Sequence, residues 1–417
     1  MRLCKVLYSR SRLENLKLQL SLDKPTMYGS FIRPKPANKQ ITEVYESSNK
    51  TFISPLLSTS NALTDSFGRS HTYLRISLTE RCNLRCTYCM PEAGIAHLTP
   101  NSDLLTSEEI LRLASVFVSL GVTKIRLTGG EPTLRSDLIE IVKGLSTLRE
   151  EGLKTIAITT NGIVFERHLS DLTASGLTHV NISLDSLRPH RFAKMSRRPE
   201  ASWDRVWASI QSAVSSPSLK GAVKVNCVVM RGINEDEVAD FAKLTLEYPI
   251  DVRFIELMPF DGNDYQASAT VGWREMLSAI TTIYPTIAPM QDGDGTSKMW
   301  KIPGSVGRIG FISTMTDAFC GTCSRLRLTA DGNIRACLHG DQEFSLRNVL
   351  RSGGTNDEVI SVISSAVMDK HFSLGGKKNA EGLAAAVASV PLETTLPSSN
   401  TNGDELRRKR AMILIGG

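Results

Sequence analysis

No uninterrupted apolar run in the 417-residue sequence approaches the roughly 18–20 residues that a helix needs to cross a bilayer. Nor does the start of the chain carry the unbroken apolar core of a secretory signal. Composition shows no excess: 41% of residues are hydrophobic, 22% charged and 6% aromatic. Those values exclude a disordered, collagenous or small disulfide-stapled chain. The length suffices for one large α/β barrel with an extension, or for two domains. Acidic residues are scarce in one place. Residues 1–40 hold nine Lys and Arg against Glu14 and Asp23, whereas the other 377 residues hold 40 basic and 41 acidic groups. The formal net charge of +6 therefore belongs to the leader. A near-neutral body argues against a broad nucleic-acid footprint.

The leader is rich in Arg and Lys, and Leu3, Val6, Leu7, Leu13, Leu16, Leu18 and Leu20 recur in it at loosely helical spacing. This is the composition of a mitochondrial presequence; the bland alternative is a basic tail with no targeting role. Ser, Thr, Pro and Asn dominate from there to about residue 62, as in a linker. Residues 1–62 are accordingly expected to be a presequence and disordered linker, which would place the working protein in the mitochondrial matrix.

Of eight cysteines, six fall in two triplets. Cys82, Cys86 and Cys89 are spaced CxxxCxxC. Cys320 and Cys323 form a CxxC, with thirteen residues before Cys337. Cys4 lies in the leader, and Cys227 sits in an apolar strand-like stretch as a packing residue. Disulfides are disfavoured, because the closest pairs are too near in sequence and no secretory signal precedes them. A structural zinc site wants four Cys or His ligands. Each triplet supplies three, with His339 as the near candidate for a fourth. Three thiolates suit a [4Fe–4S] cluster that leaves one iron open to an outside ligand.

Six apolar segments of strand length lie near 73–78, 123–128, 155–159, 179–184, 223–229 and 252–257. Helix patterns fall between them, near 107–119, 137–148, 164–174, 203–214 and 235–246. The clearest helix has Thr106 as N-cap, Glu109 completing a capping box and Gly121 past its end. Ile110, Leu113, Ala114, Phe117 and Val118 form its apolar stripe. This alternation predicts an α/β fold, a parallel sheet with crossover helices. Six units make a partial (βα)6 barrel of TIM type rather than the closed eight-unit form.

Strand side chains alternate between faces. Arg75, Ser77 and Thr79 share one face, as do Lys124, Arg126 and Thr128. Thr159 pairs with Asn161, Asn181 with Ser183 and Asp185, Lys224 with Asn226, and Arg253 opens the sixth strand. Buried cations need partners. An anionic ligand inside the barrel would supply them; so would strand acids such as Asp185 and Glu256. Beyond residue 260 the alternation fades. Residues 261–375 hold the second triplet, short strands near 308–313 and 325–329 and the turn Asp331-Gly332. They are expected to form a layer over the barrel mouth. Residues 376–417 are expected to be a flexible segment ending in the apolar stretch from Met412 to Ile415 and a Gly416-Gly417 tail.

Cys82-Asn-Leu-Arg-Cys86-Thr-Tyr88-Cys89 follows the first strand, and Gly129-Gly130-Glu131-Pro132 follows the second. The pair resembles the radical S-adenosylmethionine (SAM) superfamily. A closer resemblance, to the GTP 3′,8-cyclase family, rests on further motifs in the same order. They include Phe67-Gly-Arg-Ser-His-Thr-Tyr-Leu-Arg75, Lys124-Ile-Arg126, Thr159-Thr-Asn-Gly, Asn181-Ile-Ser183-Leu-Asp185, Val223-Lys224-Val-Asn and Arg253-Phe-Ile-Glu-Leu-Met258-Pro. Phe319-Cys320-Gly-Thr-Cys323-Ser-Arg325-Leu-Arg327 and the Gly-Gly tail belong to the same set. The match runs from about residue 63 to 375 and resumes at the last six residues.

The resemblance implies a radical SAM barrel at 63–260 and a C-terminal layer at 261–375 carrying a second iron–sulfur cluster. Cys82, Cys86 and Cys89 would hold the [4Fe–4S] cluster that chelates SAM, with Tyr88, Gly130, Ser183 and Met258 touching SAM. Cys320, Cys323 and Cys337 would hold a second [4Fe–4S] cluster facing the guanine of GTP. Arg75, Arg126, Thr159, Lys224, Arg325 and Arg327 would contact GTP. A triphosphate brings about four negative charges, which Arg matches with paired donors. The implied enzyme is a lyase that joins the ribose 3′ carbon of GTP to carbon 8 of guanine, giving 3′,8-cyclo-7,8-dihydro-GTP in the first step of molybdenum cofactor biosynthesis. Cyclic pyranopterin monophosphate synthase would act next, a reductant protein would supply electrons, and a homodimer is the assembly suggested. No nucleic-acid or membrane partner is expected. The stretch 376–405 is longer than the family usually has. Arg407-Arg408-Lys409-Arg410 reads as a phosphate contact or a solvated tail. Two rival readings are a peptide-modifying radical SAM enzyme, against which the interior cations count, and a zinc-ribbon binding module fused to a barrel.

Overall fold

A computed structural model describes residues 61–95, 98–291, 295–388 and 412–415. The leader up to residue 60, residues 389–411 with their basic run, and Gly416-Gly417 lie outside the described residues. Helices alternate with six strands: β1 (Tyr73–Ser77), α1 (Ser107–Ser119), β2 (Lys124–Thr128), α2 (Leu138–Thr147), β3 (Thr155–Thr160), α3 (Phe165–Ala174), β4 (His179–Ser183), α4 (Pro189–Ser196), α5 (Ala201–Ser215), β5 (Val223–Val229), α6 (Val238–Glu247) and β6 (Asp251–Glu256). There follow α7 (Trp273–Ile283), β7 (Ala288–Pro289), β8 (Lys298–Lys301), β9 (Arg308–Ile312), β10 (Arg325–Leu328), β11 (Asn333–Arg335), β12 (Phe344–Ser345), α8 (Leu346–Arg351), α9 (Asn356–Met368) and α10 (Ala380–Ala388).

All these strands form one sheet in the order β12-β11-β10-β1-β2-β3-β4-β5-β6-β9-β8-β7. The region expected as a layer over the mouth is thus woven into the sheet itself. β10 joins β1 in parallel and β9 joins β6 in parallel, widening six parallel strands to eight. Antiparallel pairs then finish both edges. Open edges present unpaired N–H and C=O groups, and the alternating Arg325-Leu-Arg-Leu segment is suited to cover one of them.

The two faces of the sheet differ in kind. Leu74, Ile76, Ile125, Leu127, Ile156, Ile158, Val180, Ile182, Val225, Val252 and Phe254 are buried in the core that holds the helices. The alternate positions carry the polar side chains of the lumen. In α1 the expected capping box is present, and Ile110, Leu113, Ala114, Phe117 and Val118 are buried. Sequence reading missed α4, a short helix with Pro189 at its first turn and few apolar residues. It also missed α10, which lies in the stretch read as flexible; its alanines favour helix. Among the described residues no helix is long and apolar enough to cross a membrane.

Candidate functional site

Register places the lumen cations side by side. Arg327, Arg75 and Arg126 are direct neighbours across β10, β1 and β2. One step away, Arg325, Tyr73 and Lys124 form a second row on the same strands. Thr159, Asn181 and Lys224 are neighbours across β3, β4 and β5. Burial, then Arg126, Arg325 and Arg253, lowers Arg75 to about 10 against the pull of Tyr73. Burial, with Arg75 and Arg325 beside it, pushes Arg327 well below the usual range. Charged guanidinium groups in this row repel one another, so the row favours an anion.

Several of these groups are held in place. Arg126 donates from Nε to Tyr73 Oη at 2.6 Å, and from Nη1 to Ile158 O at 2.9 Å and Thr159 Oγ1 at 3.3 Å. Arg253 donates to Asn226 Oδ1 at 3.0 and 2.8 Å. Lys224 lies 3.5 Å from Asp251, which also pairs with Arg308 at 2.7 Å. Arg325 donates to Thr296 Oγ1 at 3.0 Å and stands over the Phe319 ring at 4.5 Å. Asp185 and Glu256 do not serve as the counter-ions considered from sequence. Asp185 accepts from Tyr88 Oη and Val228 N, both at 2.9 Å. Glu256 accepts from the backbone of Trp273, Met315 and Thr316.

The first triplet lies in the loop after β1. Gly130 N donates to Thr79 O at 2.7 Å and Glu131 N to Arg81 O at 2.8 Å. A Cβ on Gly130 would strike the carbonyls of Glu80 and Arg81, so glycine lets the two loops lie backbone to backbone. Glu131 is buried, which raises its pKa, and it accepts from Thr160 Oγ1 and Asn161 N, both at 2.7 Å. Asn161 in turn donates to Asn83 Oδ1 at 2.7 Å and reaches Cys82 Sγ at 3.9 Å. Asn263 Nδ2 donates to Tyr88 O at 3.1 Å and Met258 O at 2.8 Å, joining those two segments. Gly130, Ser183 and Met258 stand at or within two residues of C-terminal strand ends, the end where such barrels place their chemistry, and Tyr88 lies in the loop that follows β1.

All described cysteines are free. Burial raises Cys82 to about 11, and burial together with Asp185, Cys89 and Cys82 raises Cys86 well above the usual thiol range. Cys89 is raised by burial, Cys82 and Asp185. Three half-buried thiols, each raised by its surroundings, become thiolates only beside a soft cationic group. Their donor set fits an iron–sulfur cluster.

The second triplet flanks β10 and β11. Burial would raise the Cys323 thiol, but Arg325 and Lys370 outweigh it and hold it at about 7. Cys320 is raised by burial and by Cys337 and Cys323. Lys370 Nζ donates to Cys323 Sγ at 3.5 Å and Arg325 O at 3.1 Å, and lies 2.7 Å from His71 Nε2. Arg69, paired with buried Asp65 at 2.6 Å, donates to Cys320 O at 2.7 Å and Phe372 O at 2.8 Å. These thiols also suit a cluster, and cations beside them favour the thiolate form. His339, the near candidate for a zinc ligand, stacks on Phe260 at 5.5 Å. Among the described residues no three His, Cys, Asp or Glu side chains converge as ligands of a metal ion. Sequence reading missed Glu131, Asp185, Arg69, His71 and Lys370 as supports. Arg69 and His71 stood inside a quoted motif with no role attached.

An open parallel barrel with a cysteine triplet after its first strand is the architecture of a radical SAM protein. The model described as Radical SAM superfamily matches residues 76–245, and the one described as Molybdenum Cofactor Synthesis C matches residues 250–374. In fold, the chain is similar to Streptococcus suis SuiB, solved bound to precursor peptide SuiA: TM-score 0.50, 14% identity, 75% of this chain and 70% of that one. Over 318 residues it is 51% identical to Arabidopsis thaliana "GTP 3',8-cyclase, mitochondrial", covering 76% of this chain and 80% of that protein. It is 43% identical to Heliobacterium modesticaldum GTP 3′,8-cyclase, over 74% and 93%. Against Homo sapiens "Molybdenum cofactor biosynthesis protein 1" identity is 51%, over 76% of this chain and 50% of the relative. The chain belongs to the GTP 3′,8-cyclase family of radical SAM proteins. It spans about half the length of the animal relatives it matches.

Proposed function

We propose that this protein cyclises GTP to 3′,8-cyclo-7,8-dihydro-GTP, committing it to molybdenum cofactor biosynthesis as a lyase. The observation that carries the reading is the row Arg327–Arg75–Arg126, three arginines abreast on the lumen side of one sheet. A triphosphate answers that row; an uncharged peptide does not. Arg75, Arg126, Arg325 and Arg327 hold phosphates, Thr159 and Lys224 complete the substrate wall, and the barrel keeps water from the reacting sugar. Tyr88, Gly130, Ser183 and Met258 orient SAM beside Cys82, Cys86 and Cys89. Cys320, Cys323 and Cys337 would hold a second [4Fe–4S] cluster. When bound, the reduced first cluster and SAM supply the radical that removes a ribose hydrogen. Residues 63–260 act as the six-strand radical SAM part of the barrel, and 261–375 as the part that adds β9 and β10 and completes the substrate site. A mitochondrial matrix location, a reductant protein, a homodimer and cyclic pyranopterin monophosphate synthase as the next enzyme complete the proposal.

The test is anaerobic. The protein is reconstituted with iron and sulfide, given dithionite and SAM, and 5′-deoxyadenosine is quantified with and without GTP. GTP-stimulated formation with GTP consumption is expected. SAM cleavage indifferent to GTP would leave the superfamily assignment standing and remove the substrate.

A further inference from the structure

Tyr73 sets a phenol among the lumen cations. Across its strand pairs stand Arg325 on β10 and Lys124 on β2, and Arg75 lies two residues along the same face of β1. Arg126 donates to its oxygen at 2.6 Å, and the Lys124 ammonium sits 4.7 Å from the ring centre. Guanidinium and ammonium groups have donors but no acceptor, so these neighbours can satisfy the oxygen but not its proton. On β4, His179 faces the same Lys124 and Arg126 and is held neutral, its pKa lowered to about 4 by burial and those cations.

We propose that Tyr73 is the resident counter-ion of this phosphate site, and that a bound polyphosphate takes over that role while Tyr73 takes up a proton. The inference rests on the phosphate reading above. Burial alone would raise the phenol; Arg126, Arg75 and Lys124 reverse this and bring it to about 7. An ordinary tyrosine titrates near 10, so at pH 8 this one is mostly ionised before substrate arrives. A triphosphate with about four negative charges restores the ordinary value. The bound state then holds more protons than the free state, and affinity falls as pH rises between about 7 and 10. The terminal phosphate of GTP acts in the opposite sense, releasing a proton on binding below about pH 7.

Isothermal titration of GTP into the reconstituted full chain at pH 8, in two buffers of different protonation enthalpy, counts the protons. Close to one proton taken up per GTP is expected for the unaltered protein, and none for Tyr73→Phe. No buffer dependence, or equal uptake in the variant, overturns the proposal. Should Tyr73→Phe fail to fold, the pH series of the unaltered protein decides: uptake must vanish below about pH 6 and persist at pH 8. Inorganic triphosphate is the second probe. Proton-linked triphosphate binding without GTP binding would uphold Tyr73 and sink the nucleotide reading; binding of neither would sink both.

Discussion

Arg126 shows what a single residue does here. It touches Tyr73, Ile158 O and Thr159 through three donors, so its guanidinium stands ready before substrate arrives. A charge-assisted hydrogen bond is worth about 1.5–3 kcal/mol. Arg126→Met should therefore weaken GTP binding by about 10- to 100-fold in calorimetry while SAM affinity stays unchanged. Equal affinity would remove Arg126 from the phosphate site. Gly130 makes the complementary point. Its missing Cβ is the space occupied by the Glu80 and Arg81 carbonyls. Gly130→Ala should lower Tm and depress SAM cleavage together, because the cysteine loop must shift; a melting curve superposing on the unaltered one would contradict that packing. The cysteines and lumen arginines were legible in the sequence because spacing and period carry them. The bonding partners of Glu131 and Asp185 were not, since they come from other loops of the fold.

At the scale of elements, local signals were read well where they are self-contained. The box between Thr106 and Glu109 begins α1 as the sequence suggested, with Glu109 N donating to Thr106 Oγ1 at 3.1 Å. Thr106→Ala should cost about 1 kcal/mol. That corresponds to a Tm lowered by a few degrees in calorimetry, with activity retained at 25 °C. The six barrel strands were placed within a residue or two at most ends, because each pairs an apolar face with a polar one. The edges were not legible. β9 and β10 were found as strands, but nothing local says that one joins β6 and the other β1. Such pairings are decided by register between distant segments, and sequence period is silent about them.

Over the whole molecule, three histidines, one buried and two half-buried, contribute to the response to acid. Burial with Lys370 holds His71 at about 4, burial with Lys124 and Arg126 holds His179 at about 4, and burial with Arg327 and Arg335 holds His339 at about 3. Unfolded histidine titrates near 6.5, so below that value the unfolded chain binds more protons and stability is lost as pH falls toward about 4. Asp185, raised by burial to about 6, and Glu131, also raised by burial, oppose this in the carboxylate range, two groups against three. Tm should therefore drop steadily from pH 7 to pH 4.5; a flat profile would contradict neutral burial of these rings.

The pairing of β1 with β10 also has a consequence in time. Tyr73 and Arg325 are neighbours in the sheet but about 250 residues apart in the chain. A ribosome adding roughly 5–20 residues per second needs on the order of 10–50 seconds to travel between them. Through that interval Arg75 and Arg126 have emerged and Arg325 and Arg327 do not yet exist. The nascent chain therefore carries Arg75 and Arg126 while the β10 side of β1 is uncapped, a state suited to chaperone capture. The full electrostatic field of the lumen arises only when the last third of translation delivers its closing strand.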